Sequence, residues 1–465
     1  VVTGEGTPSD GGQRPAGSAP AAARRALFLA SLAFFLTTLD ILIVNVALTR
    51  IGDELGGGPT AQQWVIDGYT LMFAALLLSA GNLSDRIGAK RTLGVGILLF
   101  LLSSIACAAA PTVGALIAAR FVQGVAAAAM LPASMALIRE AFPDARQRAR
   151  ALGIWAVGGA VATAVGPLLG GLLTTVDWRL VFLINLPVCV LMLVLLRAVA
   201  PSSTVSTPFD GAGQVLSLVA LVALMYGLIE GGAAGFAEPV VVAALAVGVV
   251  GVAAFLVVQS RVAHPMMPPV LFRSREMRIS LGVGFAFMVG NFGSVYVVSL
   301  YLQQHLGLSP LLAGLVFLPS AAFAVAGNIV SGGLSNRFGP RVPVAAGLTS
   351  MAVGLLAMAA TASLGSPWLF AGLLVLTGLG GSVAMPPVTS VVLASAPAER
   401  ASTASAVFNT FRQVGGAVAI AVLGGLLAGA SSFVPGLQVS FVVAAGVVVV
   451  AAGAALFIRQ RPEHA

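Results

Sequence analysis

Two charged residues fall inside stretches that are otherwise too apolar to hold charge. Asp40 lies in Leu39-Asp40-Ile41-Leu42-Ile43-Val44-Asn45-Val46-Ala47-Leu48, and Arg120 lies in Leu116-Ile117-Ala118-Ala119-Arg120-Phe121-Val122-Gln123-Gly124. At the centre of a bilayer such a group costs about 2.5–3.5 kcal/mol even on the lenient insertion scale. Arginine cannot shed its proton there, so Arg120 needs a partner or water. A carboxyl group can, so Asp40 reads either as a proton carrier or as a buried hydrogen-bond acceptor. Asp40 is the deep acid available to Arg120 in the same half of the chain, and Gln123 shares roughly one helix face with Arg120.

A third acid, Asp67, follows an interfacial tryptophan in Gln62-Gln63-Trp64-Val65-Ile66-Asp67-Gly68-Tyr69. Its place about one turn inside the interface predicts a half-solvated carboxylate. It is either a second proton or cation site or an acid lining a wet vestibule. Asp40, Asp67 and Arg120 are therefore the candidates for proton coupling.

Other chemistries find little support. Cys107 and Cys189 sit in apolar segments with no C-x-x-C spacing. His264, His305 and His464 are too scattered to hold a metal, and His305 reads as an exposed loop residue. No G-x-x-x-x-G-K-[ST] loop is present, so ATP does not drive this chain directly, and Gly378-Leu379-Gly380-Gly381 reads as helix packing. No cofactor, metal or enzymatic activity is expected.

The elements that position these residues follow from composition. Of 465 residues 58% are hydrophobic and 9% charged, against about 25% charged in a soluble domain. The chain is an all-α integral membrane protein with fourteen apolar spans. The net charge of +8 lies in short turns, not in one patch, so no nucleic-acid partner is expected. With both termini cytoplasmic, the outer loops hold only Arg50 and Arg179, as the positive-inside rule requires. Residues 1–25 and 459–465 are expected to be cytoplasmic tails, the first disordered. Residues 26–200 form one six-helix bundle and 279–458 another. Residues 201–278 supply a linker, an inserted helix pair and a cytoplasmic connecting segment. The polar part of that segment, Arg261–Arg278, is expected along the inner membrane face.

A repeat supports the two halves. Gly81-Asn82-Leu83-Ser84-Asp85-Arg86-Ile87-Gly88-Ala89-Lys90-Arg91 returns as Gly332-Gly333-Leu334-Ser335-Asn336-Arg337-Phe338-Gly339-Pro340-Arg341. A basic turn used twice between membrane-length helices implies duplication. It reads as a loop that either gates or only fixes topology, with Gly81, Asp85, Arg86, Gly88 and Arg91 as its working residues. Span five carries Gly158, Gly159 and then Gly166-Pro167-Leu168-Leu169-Gly170-Gly171. Proline bends a helix and the glycines remove bulk, which predicts a kinked helix able to rock against a neighbour.

These motifs together resemble the major facilitator superfamily, in its 14-spanner drug:proton antiporter branch. The first-helix stretch is similar to that branch's L-D-x-T-I-V-N-V-A-L-P, with Leu42 and Thr49 departing from it. The 81–91 turn resembles the superfamily's G-x-L-x-D-R-x-G-x-K/R-R, and the second copy lacks the acid at Asn336. Span five resembles the G-P-x-x-G-G motif of the exporters. Trp178-Arg179-Leu180-Val181-Phe182-Leu183-Ile184-Asn185-Leu186-Pro187 and Asn409-Thr410-Phe411-Arg412-Gln413-Val414-Gly415-Gly416 also match the branch.

The resemblance implies a major facilitator fold of two six-helix bundles plus two inserted helices. It implies that Arg120 depresses or releases the proton of a nearby acid, and that the 81–91 turn braces the inward-closed state. It further implies proton-coupled export of a drug-like or antibiotic molecule across the cytoplasmic membrane, by a chain expected to work as a monomer. Asn45, Gln123, Phe285, Met288, Asn291, Phe292, Tyr296 and Arg412 are the candidates for the substrate cavity. A nutrient or metabolite importer of the same fold is the alternative, with a membrane sensor or channel further behind.

Overall fold

A computed structural model describes residues 21–202, 204, 210–396 and 401–458. The tail residues 1–20 and 459–465 and most of the linker fall outside them. The described chain makes fourteen helices: α1 (Ala21–Leu55), α2 (Gly58–Ile87), α3 (Ala89–Ala108), α4 (Val113–Ala141), α5 (Ala145–Val176), α6 (Leu180–Arg197) and α7 (Gly211–Ala234). They continue as α8 (Pro239–Arg261), α9 (Arg275–His305), α10 (Pro310–Phe338), α11 (Arg341–Leu364), α12 (Pro367–Ala394), α13 (Ala401–Ala428) and α14 (Phe433–Ala455). Thirteen are long and apolar enough to cross a membrane, and α5 crosses as two segments, 150–163 and 165–176, set at 40°.

Local signals mark the ends. Thr112, Asp144, Asp210, Ser274, Ser309 and Ser366 each cap a helix by accepting from a backbone N–H three residues on. The helices outrun the apolar stretches. Thus α1 begins at Ala21, inside the expected tail, and α2 runs to Ile87. The 81–91 turn is therefore mostly helix, broken at Gly88 alone. Gly88 takes φ 92° and ψ 141°, and its counterpart Gly339 takes φ 72° and ψ 172°. Such backbone is nearly closed to residues with a Cβ.

Helix packing repeats along the chain. Within the first half α1 packs on α5, α2 on α4, and α3 on α4; within the second α9 packs on α13, α10 on α12, and α11 on α12. The halves meet along α2–α13 and α5–α10, two seams that the repeat exchanges. The inserted α7 lies against both α2 and α13, with α8 outside it.

Part of the Arg261–Arg278 segment turns onto protein. Met266 and Met267 are buried, and the Met267 N–H donates to Gln259 Oε1 at 2.8 Å. Gln259 in turn donates to Asp210, so the segment ties the start of α7 to the end of α8. His305 is exposed as expected, but it ends α9 and does not lie in a loop, and its ring stacks against both Tyr301 and Phe433, at 5.5 and 5.3 Å.

Gly88→Ala and Gly339→Ala are each expected to destabilise the fold by about 1–3 kcal/mol, the cost of a Cβ in glycine-only backbone. Denaturant unfolding in detergent reads this, and wild-type stability in both variants would show that the turns relax freely.

Candidate functional site

The first bundle encloses a network of charged and amide groups. Asp40 of α1 and Arg120 of α4 are both fully buried, and Arg120 Nη1 donates to Asp40 Oδ2. Arg120 Nε donates to the Val65 carbonyl at 2.9 Å, and Nη1 also reaches Gln123 Oε1 at 2.8 Å. Gln123 and Asn185 both donate to Asp40 Oδ1, at 3.0 and 2.9 Å, and both reach the Ser104 hydroxyl. Arg120 lies over the Tyr69 ring at 4.5 Å, and the Tyr69 hydroxyl donates to the Thr37 carbonyl at 3.0 Å. Five helices, α1, α2, α3, α4 and α6, thus supply one charge pair with its shell.

Arg120, Gln123 and Asn185 thus all donate to this one carboxylate, and both of its oxygens are covered. Two atoms stay unsatisfied, Arg120 Nη2 and Asn185 Oδ1. Ser104 and Asn185 were not singled out from sequence as site residues. Asn185 carried a signal, since an amide inside an apolar span must find a partner, whereas one serine in a span does not stand out.

Asp67 differs from the half-solvated expectation, because it is fully buried. The helix α2 that carries it is covered by α13 and α7. Thr70 Oγ1 donates to Asp67 Oδ1 at 3.1 Å, while Oδ2 has no partner. Asp67 does not join the Asp40 network. One turn away on the same face is Gln63, which together with Tyr296 closes on Gly424 of α13.

The glycines of α5 face two neighbours. Gly158, Gly159, Gly166 and Gly170 pack on α1, where a Cβ on Gly170 would stand 2.6 Å from the Ile43 carbonyl. Gly171 packs on α10, and a Cβ there would stand 2.4 Å from the Pro310 carbonyl. Gly314 of α10 returns the contact, where a Cβ would stand 2.4 Å from the Pro167 carbonyl. Pro167 has no N–H for the Thr163 carbonyl and crowds it, which accounts for the bend at that level. Near the same end of the bundles Ser299 donates to the Asn45 carbonyl at 3.1 Å and Gln304 to Gln62 at 3.2 Å.

In the 81–91 turn, Asp85 pairs with Arg139 at 3.1 Å, both partly exposed, and Arg86 and Arg91 are exposed. That pair joins α2 to α4 of one bundle. Lys90 donates to the Val199 carbonyl and Gly81 faces Pro132, so the turn is tied within its own half.

The cavity candidates divide. Gln123 belongs to the charge network, and Asn45 is buried where α1 meets α9, its amide donating to the Ile41 carbonyl at 2.7 Å. Met288 and Phe292 of α9 pack into the core of the first bundle, and Tyr296 is buried. Phe285 backs onto Gly415, and Asn291 is half-buried. Arg412 of α13 has its stem against Gly284, with the Phe287 and Phe408 rings 5.9 Å away. Its Nη1 donates to Asn409 Oδ1 at 3.3 Å and its Nε has no partner.

Paired helical bundles meeting at two equivalent seams, with a charge pair buried inside one of them, define a membrane transporter. The chain belongs to the Major Facilitator Superfamily, whose family model matches residues 30–420. It is 37% identical over 410 residues to a methylenomycin A resistance protein of Streptomyces coelicolor, covering 88% of this chain and 86% of the relative. It is 34% identical over 424 residues to the multidrug efflux pump LfrA of Mycolicibacterium smegmatis, covering 90% and 82%. A solved peptide transporter POT in complex with sulfate superposes with a TM-score of 0.70 over 96% of both chains. At 18% identity that likeness speaks to fold alone.

Removing one member of a buried pair leaves the other uncompensated, at about 3–5 kcal/mol. Arg120→Leu is therefore expected to destabilise the protein by about that amount, and adding Asp40→Asn to recover part of it. A double-mutant cycle by unfolding in detergent checks this, and strict additivity would mean that the two side chains do not act as a pair.

Gly171→Ala and Gly314→Ala are expected to part α5 from α10. A cysteine at Ser299 should then react faster with a membrane-impermeant maleimide than the same cysteine in the parent. Equal rates would place the rocking seam elsewhere.

Proposed function

We propose that the chain is a proton-coupled antiporter that exports a drug-like or antibiotic small molecule across the cytoplasmic membrane by alternating access. The observation that carries this reading is the Asp40–Arg120 pair, held beneath the contact between α1 and α9. Both termini are cytoplasmic, so the α5–α10 contact closes the outer end and Asp40 is sealed from the outside.

In the conformation described, Arg120, Gln123 and Asn185 all donate to Asp40, and the cycle takes this arrangement as the state that follows proton release. Rocking of the bundles opens the α5–α10 and α1–α9 contacts and admits protons from the outside. Protonation removes the charge that Arg120 holds, and the loaded bundle returns. Restoring the donors then expels the proton to the inside. Substrate moves the other way through the space between the bundles, bound by apolar and aromatic contact along α9 and α13. Asp67, also buried between the bundles, serves as a relay or favours cationic substrates. The names of the efflux and resistance relatives and the Gly-Pro-x-x-Gly-Gly stretch of α5 support export over import.

Asp40→Asn is expected to abolish uphill, pH-driven export while permitting downhill substrate exchange. Asp67→Asn is expected to impair cationic substrates most. Substrate-induced proton release from proteoliposomes, run on both variants, tests this. Wild-type coupling in folded Asp40→Asn protein would leave Asp40 as a structural acceptor. Acidified everted vesicles settle direction, because an exporter accumulates substrate in them and an importer does not.

A further inference from the structure

We propose that the second bundle carries a binding site for an anionic phospholipid on its lipid-facing side, at the end where its basic turns lie. In the orientation proposed above this is the inner leaflet. Two grooves meet there. One, of about 820 Å³, is lined by Arg275 of α9, Phe338 of α10, Arg341, Val342 and Ala345 of α11, and Phe457 beyond α14. The other, of about 380 Å³, runs between α9 and α14 over Arg275, Arg278, Gly282, Ala286, Val447 and Val450. Arg275 lines both, and its guanidinium lies over the Phe457 ring at 5.1 Å.

The arrangement has the polarity of a lipid. Arg275, Arg278 and Arg341 stand at the helix ends, and among the described residues no carboxylate lines either groove. Glu276, next in sequence to Arg275, accepts from the Ser274 hydroxyl at 3.1 Å and is not among the lining residues. Below the arginines the second groove turns apolar. Gly282 and Ala286 lie seven and eleven residues into α9 from Arg275, about 10 and 16 Å along the axis at 1.5 Å per residue. Val450 on the facing helix is 74% exposed, and a Cβ on Gly282 would meet nothing within 4 Å. A phosphate at the arginines would thus have its acyl chain beside a trough of small and branched side chains.

Charge decides which lipid fits. Each arginine near the membrane surface favours an anionic headgroup by about 1 kcal/mol, or about fivefold. A zwitterionic headgroup brings a cation to the same three arginines and gains little. Basic pockets between helices on the cytoplasmic side are known to hold anionic headgroups.

The test uses the purified full chain in detergent and needs no transport, so its outcome is separable from the antiporter reading. Binding of phosphatidylglycerol and of phosphatidylcholine is titrated by native mass spectrometry, with inorganic phosphate and glycerol phosphate as chain-free competitors. The wild type is expected to prefer phosphatidylglycerol. The Arg275→Gln/Arg341→Gln double variant is expected to lose about 25-fold of that preference, two arginines at fivefold each. Gly282→Leu, which fills the apolar trough without touching the arginines, is expected to weaken both lipids several-fold and leave their ratio unchanged. An unchanged preference in the double variant overturns the proposal. Displacement of phosphatidylglycerol by equimolar inorganic phosphate also overturns it, since the site would then bind small anions and not lipid.

Discussion

A guanidinium in hydrocarbon cannot lose its proton, and the first bundle is arranged around that constraint. Arg120 is fully buried, so the bundle must bring it an anion, and Asp40 is the anion supplied. The pair alone would not suffice, because desolvating two charges can cost more than their attraction returns. Gln123 and Asn185 cover the second carboxylate oxygen, the Val65 carbonyl takes Arg120 Nε, and Tyr69 offers its ring face. Compensation remains incomplete, since Arg120 Nη2 and Asn185 Oδ1 lack partners. A network satisfied at every atom would resist change, whereas one with loose ends lies higher and parts more readily.

That charge pair is linked to the seams between bundles through α1. Asp40 lies five residues before Asn45, whose carbonyl holds Ser299 of α9. On another side α1 is fitted against α5 with glycine at the contacts, and α5 in turn touches α10 through Gly171 and Gly314. Contacts this close have little room to slide gradually. Packed interfaces of this kind favour discrete arrangements over continuous deformation. A shift at the α5–α10 seam therefore reaches α1, and with it the surroundings of Asp40, through backbone contacts and not through flexible side chains.

Much of this was legible in the sequence because burying charge and removing side chains both leave marks. Asp40 and Arg120 stood out against their apolar surroundings, and glycine with proline marked α5 as bent and closely packed. The repeat was visible in a turn, where two glycine-only backbone positions constrain the residues. Burial of Asp67 was not legible. Its depth along α2 was read from Trp64, but sequence does not show that α13 and α7 cover that helix. Ser104 was hidden for a related reason: a serine is common in spans and becomes informative only when Gln123 and Asn185 converge on it. In the polar segment after α8, the backbone amides of Met266 and Met267 close onto Asp210 and Gln259, a contact that depends on tertiary geometry and leaves no mark in the sequence.

The repeat is most informative where the halves no longer match. Asp85 of the first turn answers to Asn336 of the second, and α12, which holds the place of α4, has no charged residue at all. After Glu276 the chain contains only two acids, Glu399 and Glu463, and both fall outside the described residues of α9 to α14. The second bundle therefore cannot build an ion pair like Asp40–Arg120 from its own membrane-embedded residues. What it offers instead is Phe285, Met288, Phe292 and Tyr296 on α9, with Arg412 among aromatic rings on α13. In the proposed cycle this separates two demands that conflict in a single site. Proton handling needs fixed donors of defined geometry, while an adaptable apolar surface must leave side chains free to repack. The two halves share one packing scheme, and the absence of deep acids from the second leaves it suited to the second task.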